Sequence, residues 1–236
     1  MVPESLAEQA AAAATTPTPR PASIDRIDAI TLRGPRLDLV PLDLDAHADA
    51  LFEITPPGCF EFFLSWPERW DRGSFRAWLA QSLTRPGIRP FVVVDRDSGQ
   101  VLGCSSLYVV DAAHAGLEIG FTWYAPAARG TWVNPECKLL LLSHGFDHHR
   151  ALRIQLKCDA RNARSRAAIA KLGAAFEGVL RKHRVLPDGY ARDTAYFSVI
   201  DTEWPAVKAG LLARLGEAVP GQTGTRTTDA KGFTRG

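Results

Sequence analysis

A stretch in the middle of the chain combines three features that together could bind an anion. Residues 117–124 alternate apolar with other side chains and are rich in β-forming types, which predicts a strand. Residues 125–133 contain Arg129 and Gly130 and are expected to form a loop. An apolar run that begins at Asn134 predicts a helix. Because a helix N-terminus carries unpaired N–H groups and a partial positive charge, this strand, loop and helix would suit a phosphate or another anion.

The composition of the chain is that of a soluble globular protein. The 236 residues are 46% hydrophobic and 23% charged, and the formal net charge is only +2. So small a charge argues against nucleic acid and against an anionic membrane surface as partners. No apolar run approaches the roughly 20 residues that span a bilayer, and the N-terminal residues lack the features of a signal peptide. We therefore expect a cytoplasmic protein.

The four cysteines indicate neither a disulfide framework nor a zinc site. They are Cys59, Cys104, Cys137 and Cys158, and no two of them form a C-x-x-C pair. Isolated cysteines of this kind usually behave as small core hydrophobes, which agrees with a reducing cytosol. The sequence predicts no bound metal.

Both ends of the chain differ in composition from the middle. Residues 1–28 are rich in Ala, Thr and Pro, and residues 216–236 have a similar character. Such segments bury too little apolar surface to offset the entropy lost on ordering, so both are predicted to be disordered. A single folded domain is expected over residues 29–215.

The periodicity of the rest predicts a mixed α/β (α+β) fold. Strands are expected at residues 30–42, 91–94, 101–110, 117–124, 151–159, 175–185 and 191–200, and helices at 43–54, 74–83, from 134, at 162–172 and at 201–215. Short turns link several consecutive strands, so we expect one mostly antiparallel sheet flanked by helices.

An aromatic patch and a group of histidines each admit two interpretations. The patch contains Phe60, Phe62, Phe63, Trp66 and Trp70. It would form either a satellite core under a loop or the wall of an acceptor pocket. The histidines are His114 in a turn and His144, His148 and His149 near the end of the central helix. A structural or solvated role is favoured for all four over a role as catalytic base. His114 is expected to be solvated in its turn, and His148 and His149 end a helix, where a cation is favourable.

Four groups of residues recur together in a known family of enzymes. They are Glu118-Ile119-Gly120 with Trp123, Arg129-Gly130, Asn162-x-x-Ser165 followed by Lys171-Leu172-Gly173-Ala174, and Arg181 with the hairpin Pro187-Asp188-Gly189 and Arg192-Asp193. Their order and separation over about residues 30–205 resemble the GNAT superfamily of acyl-CoA-dependent N-acyltransferases, in the branch named for the ribosomal-protein N-acetyltransferases RimJ and RimL. The resemblance implies the acyl-CoA acyltransferase fold, acetyl-CoA as acyl donor and a primary amine as acceptor.

The resemblance also implies roles for individual residues. Glu118 would be the general base that takes the proton of the amine, and Ser165 would contact the CoA arm and protonate the leaving thiolate. The backbone of Phe121, Thr122 and Trp123 would bind the pantetheine arm as an added strand and polarise the thioester carbonyl. The remaining cofactor contacts would come from Arg129, Gly130, Thr131, Val133 and Asn134 at the pyrophosphate and from Asn162 beside the CoA arm.

Trp132 departs from the family pattern, which often has Gly or Ala at that position. A small residue there lets the backbone approach the pyrophosphate closely, so tryptophan is compatible only if its side chain points away from the ligand. The alternative to an enzyme is therefore a non-catalytic GNAT-fold protein that binds acyl-CoA or a partner. The acceptor would be a protein N-terminus or a small-molecule amine, and the protein would be a monomer or homodimer.

Overall fold

The computed structural model describes residues 23–217, which form an eight-stranded sheet with five α-helices. The strands are β1 (Leu32–Arg33), β2 (Leu37–Pro41), β3 (Ile88–Asp95), β4 (Val101–Asp111), β5 (Gly116–Tyr124), β6 (Arg153–Asp159), β7 (Ala175–Val185) and β8 (Ala191–Ile200). The helices are α1 (Leu44–Glu53), α2 (Arg72–Leu83), α3 (Val133–Ser143), α4 (Ala163–Ala170) and α5 (Trp204–Glu217). The strand order across the sheet is β1-β2-β3-β4-β5-β6-β8-β7. The predicted fold class, one mostly antiparallel sheet flanked by helices, is confirmed.

The first predicted strand, over residues 30–42, is in fact two strands. β1 and β2 pair antiparallel, with Leu32 opposite Leu39, around a turn at residues 34–36. Elsewhere local signals place the helix starts well. The Asp43 carboxylate accepts from the N–H groups of Asp45 and Ala46 and so begins α1.

One pair of strands in the sheet is parallel, and it lies at the centre. β5 pairs with β6 in parallel because α3 forms the crossover between them, whereas every other neighbouring pair is antiparallel. This parallel ladder is short: it runs from Gly116 opposite Arg153 to Ile119 opposite Leu156. β5 continues to Tyr124 and β6 to Asp159 without further pairing between them. The two strands therefore separate at their C-terminal ends.

The two faces of the sheet carry two separate cores. The larger core lies under α3 and α5 and includes Leu107, Leu117 and Ile154, each with no exposed surface. The smaller core lies under α1 and α2 and is dominated by aromatic side chains, among them Phe75 and Trp78. Alternating side chains of β4 and β5 contribute to both, which is the pattern expected for strands that are covered on both faces.

The packed part of the chain begins earlier than the predicted boundary at residue 29. Ile24 and Ile27 are 4% and 3% exposed and belong to the larger core. The Ile27 carbonyl accepts two hydrogen bonds from the Arg89 guanidinium, both 3.2 Å long. α5 extends to Glu217, slightly beyond the predicted boundary at residue 215. The predictions for residues 1–22 and 218–236 lie outside the described residues.

No helix within residues 23–217 is long and apolar enough to cross a membrane.

A buried carboxylate fixes the start of α3 to the edge of the sheet. Glu136 has no exposed surface and accepts hydrogen bonds from the backbone N–H groups of Arg36 at 2.8 Å and Leu37 at 3.1 Å. Its other oxygen accepts from Nε of Arg36 at 2.8 Å. Gly34 leaves the space that this carboxylate needs, since a Cβ there would lie 2.7 Å from Oε1 of Glu136. The turn between β1 and β2 is thereby attached to the first turn of α3.

Removal of this carboxylate should destabilise the protein without touching the proposed catalytic residues. Glu136→Ala would leave the buried N–H of Leu37, the part-buried N–H of Arg36 and the Arg36 guanidinium without this partner, so we expect a loss of about 3 kcal/mol in the free energy of unfolding. Glu53→Ala is the matched control, because Glu53 is an exposed ion-pair partner of Arg72 and its loss should change stability by less than about 1 kcal/mol. Denaturant unfolding of both variants measures the difference; equal effects would contradict this role for Glu136.

Candidate functional site

The separation of β5 from β6 begins next to a bulge in β5. Phe121 has a φ of +51°, which is uncommon for a residue with a side chain. The register with β4 shifts at the same place: Cys104 lies opposite Trp123, whereas Ser106 lies opposite Gly120. One residue of β4 therefore faces two of β5, which bends β5 and increases its twist just after the parallel ladder ends.

A buried lysine holds this bulge from the side of α3. Lys138 is 5% exposed and its ammonium donates to Oγ of Ser105 at 3.0 Å and to Oγ1 of Thr122 at 2.8 Å. The two hydroxyls also lie 2.7 Å from each other. Burial lowers the pKa of Lys138 from its usual value. This polar group inside an apolar environment fixes the side chain of Thr122 and with it the position of the bulge.

The side chains of the predicted pantetheine-binding residues point into the protein. The ring of Phe121 stacks on Trp78 at a centroid distance of 5.0 Å. The indole of Trp123 is 3% exposed and donates to Oγ1 of Thr55 at 2.9 Å. The Thr122 hydroxyl is likewise bound, by Lys138. The part of residues 121–123 that a ligand could contact is therefore the backbone edge that faces β6. An extended ligand could add to this edge in the manner of a strand.

The loop between β5 and α3 turns its tip toward solvent. Arg129 fastens the loop to neighbouring segments, since its guanidinium donates to the carbonyl of Tyr124 at 3.0 Å and to Sγ of Cys59 at 3.3 Å. Gly130 has a φ of +76°, and no atom lies within 4 Å of the position that a Cβ would take. Within residues 23–217, the N–H groups of Gly130 and Thr131 donate to no acceptor. These donors and the adjacent N-terminus of α3 are suited to an anion.

The other two predicted residues of the loop and helix start have partners inside the protein. The N–H of Val133 donates to the Thr131 hydroxyl at 3.3 Å. Oδ1 of Asn134 accepts from the hydroxyl of Tyr124 at 3.1 Å. These contacts join the helix start to the loop and to the end of β5, so the two residues help to set the shape of the loop.

The indole of Trp132 is directed toward the edge of the sheet. It packs against the larger core, and the Arg36 guanidinium lies over its ring at 4.3 Å from the centroid. The same guanidinium is the partner of Glu136, so the turn between β1 and β2 secures both residues. The side chain is thus anchored on the side of the β1–β2 turn.

Additional positive charge surrounds the loop. An open hollow of about 300 Å³ is lined by Gly130, Thr131, Trp132, Pro135 and Arg214. Arg214 belongs to the last turn of α5 and was not selected by the sequence pattern. On the other side of the loop, burial raises the pKa of the Cys59 thiol while Arg129 and Arg164 oppose that rise. Arg164, in the first turn of α4, is therefore close enough to act electrostatically on the same region as Arg129.

Asn162 and Ser165 lie at the start of α4. Oδ1 of Asn162 accepts from the N–H of Ser165 at 2.9 Å, which confirms Asn162 as the N-cap. Burial raises the pKa of the Cys158 thiol, and a hydrogen bond with Ser165 opposes that rise. Since Cys158 lies in the part of β6 that has separated from β5, the Ser165 hydroxyl borders the opening between the two strands.

Glu118 lies on β5 within the parallel ladder, and its carboxylate is buried and paired. Its side chain is 6% exposed, and Oε2 accepts from Nε2 of Gln155 at 2.7 Å and from Nζ of Lys157 at 2.9 Å. Oε1 lies 3.2 Å from the position that a Cβ on Gly120 would take. The missing side chain of Gly120 therefore lets the carboxylate lie over the backbone immediately before the bulge. The carboxylate is thus paired with Lys157 and at the same time lies next to the bulge.

Several polar groups share the sheet face of Glu118. Tyr108 is opposite Glu118 on β4, and burial together with the Glu118 charge raises the pKa of its hydroxyl. His183 on β7 has its pKa lowered by burial and by nearby cations, and its ring lies 5.8 Å from that of Tyr196. The Glu118 charge opposes this lowering, so His183 lies close enough to Glu118 for the two to interact electrostatically.

The aromatic patch is mainly a core, as one of the two interpretations predicts. Phe60 is 3% exposed and contacts Phe63, Trp78 and Trp123. Residues 62 and 63 are the part of the patch that lies beside the opening. The ring of Phe63 packs on that of Phe121 at 5.5 Å, and the backbone carbonyl of residue 62 accepts from Arg192 at 3.1 Å.

Sequence reasoning missed the partners of Glu118 and the lysine behind the bulge. The strand that contains Gln155 and Lys157 was predicted from its apolar positions alone. These two residues occupy the polar positions in between, and their polarity was the signal that could have identified them as partners of Glu118. Lys138 stands directly before four consecutive leucines, and a charge beside such a run indicated a buried partner. Arg36 and Glu136 are 100 residues apart, and no local pattern relates them.

Comparison with known proteins agrees with this architecture. The family model described as Acetyltransferase (GNAT) domain matches residues 36–175. A GCN5-related N-acetyltransferase from Brucella melitensis is 31% identical, with 86% of this chain and 90% of that chain covered and a TM-score of 0.74. RimJ of Mycobacterium smegmatis, solved in complex with CoA-disulfide, is 23% identical over 75% of this chain and 88% of its own, with a TM-score of 0.62, and shares the fold.

A curated relative in Bacillus subtilis (strain 168) is named "Putative ribosomal N-acetyltransferase YdaF". It is 26% identical over 131 residues, which are 56% of this chain and 69% of the relative. The family match covers the strand, loop and helix of the candidate site as well as Asn162 and Ser165. Together these similarities favour an enzyme over a non-catalytic binding protein, and they confirm the resemblance that the sequence motifs predict. The chain belongs to the GNAT family of acetyltransferases and is an acyltransferase.

Proposed function

We propose that this acetyltransferase moves an acetyl group from acetyl-CoA to a primary amine, with Glu118 as general base. The observation that supports this proposal most directly is the position of the Glu118 carboxylate. It is buried on β5 and extends over Gly120, next to the bulge at Phe121 where β5 leaves β6. The proton acceptor and the opening that can bind an extended acyl donor thus lie on the same strand.

The cofactor proposal rests on the two ends of this opening. At the loop, the N–H groups of Gly130 and Thr131 and the N-terminus of α3 would hold the pyrophosphate, with Arg129 keeping the loop in place. Along β5, the backbone of residues 121–123 would bind the pantetheine arm. The complex of Mycobacterium smegmatis RimJ with CoA-disulfide supports this choice, since that protein has the same fold.

The chemistry requires three tasks of the protein. Acetyl-CoA supplies a thioester, whose C–S bond breaks as the amine nitrogen bonds to the acetyl carbon. Glu118 takes the proton that the amine must lose, directly or through one water, and Lys157 and Gln155 hold the carboxylate for this purpose. The backbone N–H groups beside the bulge would stabilise the oxyanion, and the Ser165 hydroxyl would give its proton to the departing thiolate.

The acceptor would be the amine of a protein N-terminus or of a small molecule. The name of the Bacillus subtilis relative refers to a ribosomal N-acetyltransferase, which supports including N-terminal peptides of ribosomal proteins in a substrate panel. Release of free CoA thiol from acetyl-CoA, measured with such peptides and with small primary amines, tests the proposed function. Thermal stabilisation by acetyl-CoA without thiol release from any amine would instead support a binding protein.

Glu118→Gln should lower kcat by about 10²–10⁴-fold because it removes the proton acceptor while keeping the shape of the side chain. Thiol release over a range of pH measures the loss. Glu177→Gln is the matched control, since Glu177 is another sheet carboxylate paired with a cation, Arg153, away from the opening. Full kcat of Glu118→Gln across pH would exclude Glu118 as the base.

Gly130→Ala should weaken acetyl-CoA binding by about tenfold or more, because alanine is strained at a positive φ and would shift the loop donors. Gly99→Ala is a close control: Gly99 has a φ of +72°, and again no atom lies within 4 Å of the place that a Cβ would occupy, but it lies in the turn between β3 and β4. Both variants should lose similar stability, while only Gly130→Ala raises the KM for acetyl-CoA. Equal KM values in the two variants would contradict the phosphate-loop assignment.

Ser165→Ala should lower kcat by about 10²-fold with little change in the KM for acetyl-CoA, because it removes the proposed proton donor to the thiolate. Ser198→Ala serves as control, since the Ser198 hydroxyl donates to Glu177 and not toward the opening. Steady-state kinetics of the two variants separate the roles. A Ser165→Ala enzyme with unchanged kcat would remove Ser165 from the catalytic residues.

A further inference from the structure

Three histidines converge at the C-terminal end of α3, away from the acetyl-transfer site. One ring nitrogen from each of His144, His148 and His149 lies within 4.8 Å of the other two. Nε2 of His144 and Nε2 of His149 are 3.2 Å apart. The rings of His144 and His148 are stacked at 4.9 Å, and that of His149 meets both edge to face. The proposed acetyl transfer uses none of these side chains.

The cause of this convergence is a local change of helix type. Residues His144–His148 form a π-helical turn, and the N–H of His149 donates to the carbonyl of His144 at 3.1 Å. In a regular α-helix, residues five apart point to well-separated directions, since each residue turns the chain by about 100°. The wider turn brings positions i, i+4 and i+5 to one side. Single π turns of this kind occur often at functional sites.

We propose that His144, His148 and His149 form a binding site for a divalent transition-metal ion such as Zn²⁺. Imidazole nitrogens bind zinc at about 2.0–2.1 Å in tetrahedral geometry, which places two ligand atoms about 3.3 Å apart. The 3.2 Å between the nitrogens of His144 and His149 already matches one edge of that tetrahedron. The nitrogen of His148 lies within 4.8 Å of the other two, and metal binding requires rotation of this side chain, which is half exposed and free to turn toward solvent.

A carboxylate beside the cluster also supports a metal site. Oδ2 of Asp28 lies 3.0 Å from Nε2 of His148. A carboxylate that holds the second nitrogen of a metal-binding histidine is a common arrangement around zinc.

Such a metal would join the N-terminal segment to α3. Asp28 follows Ile24 and Ile27, which are buried in the larger core. Asp147, within the same π turn, accepts from the Trp204 indole at 2.7 Å and from Lys208 at 2.7 Å and so ties the turn to α5. Metal binding would therefore stabilise the contact between three segments of the fold. Zinc suits three histidines and an open fourth position.

Metal titration of the untagged full-length chain tests this site. After dialysis against a chelator, we expect one Zn²⁺ per chain by calorimetry, and tetrahedral absorption bands with Co²⁺ as a spectroscopic probe. Zn²⁺ at about 100 times its Kd should raise the Tm by about 5–10 °C. Absence of Zn²⁺ binding at a tenfold molar excess over the chain would overturn the proposal.

Single variants then show whether the histidine cluster is the site. His148→Ala and His149→Ala should each weaken Zn²⁺ binding at least tenfold, and Asp28→Asn by about 10–100-fold. His114→Ala is the matched control, since His114 also pairs with an aspartate, Asp111, at 2.9 Å but lies outside the cluster. Unchanged affinity in His148→Ala and His149→Ala, or an equal loss in the control, would overturn the assignment. Far-UV circular dichroism of the metal-free variants shows that their fold is intact.

Discussion

The architecture of the site depends on one constraint: β5 and β6 can pair only as far as Ile119 and Leu156. The bulge at Phe121 turns β5 away from β6, and Lys138 holds it there through Ser105 and Thr122. Because the bulge also directs the ring of Phe121 into the aromatic core, its positive φ is secured from both faces of the sheet. Strain of this kind persists only where the surrounding structure over-determines it.

The end of the opening at the loop between β5 and α3 depends on a second set of contacts at the edge of the sheet. Arg36 pairs with the buried Glu136 and covers Trp132, so one side chain orders the first turn of α3 and the indole before it. The family pattern favours a small residue at the position of Trp132. Here the bulk of the side chain is accommodated by the turn between β1 and β2. The tip of the loop at Gly130 remains open to solvent.

The two faces of the sheet differ in the polar side chains that they place near the bulge. Lys138 reaches the bulge from the α3 face, whereas Glu118 lies on the face that carries the aromatic core. This division follows from the alternation of side chains along β5, since Leu117 and Ile119 must enter the larger core and Glu118 must then face the other way. The charge of Glu118 is balanced by Lys157, which the same alternation places on the neighbouring strand.

The sequence by itself determined the order of the elements, the fold class and several local features. Hydrophobic periodicity located the strands and helices, and the side-chain chemistry of Asp43 and Asn162 marked two helix starts, because these signals act over a few residues. The motifs at Glu118, Arg129-Gly130 and Asn162-x-x-Ser165 identified the family. The limits of the folded chain were less visible: Ile24 and Ile27 are two apolar residues in a polar, Pro-rich context, and only the core into which they pack shows their role.

Tertiary structure decided the contacts between distant residues. The pairings of Glu136 with Arg36 and of Glu118 with Lys157 join positions far apart in the chain, and neither has a local signature. The direction of the Trp132 indole likewise depends on Arg36, which lies in a different turn. The histidines at the end of α3 were visible as residues, but their convergence requires a π turn. Hydrophobic patterning cannot distinguish that turn from a regular helix, since the two differ by a single hydrogen-bond register.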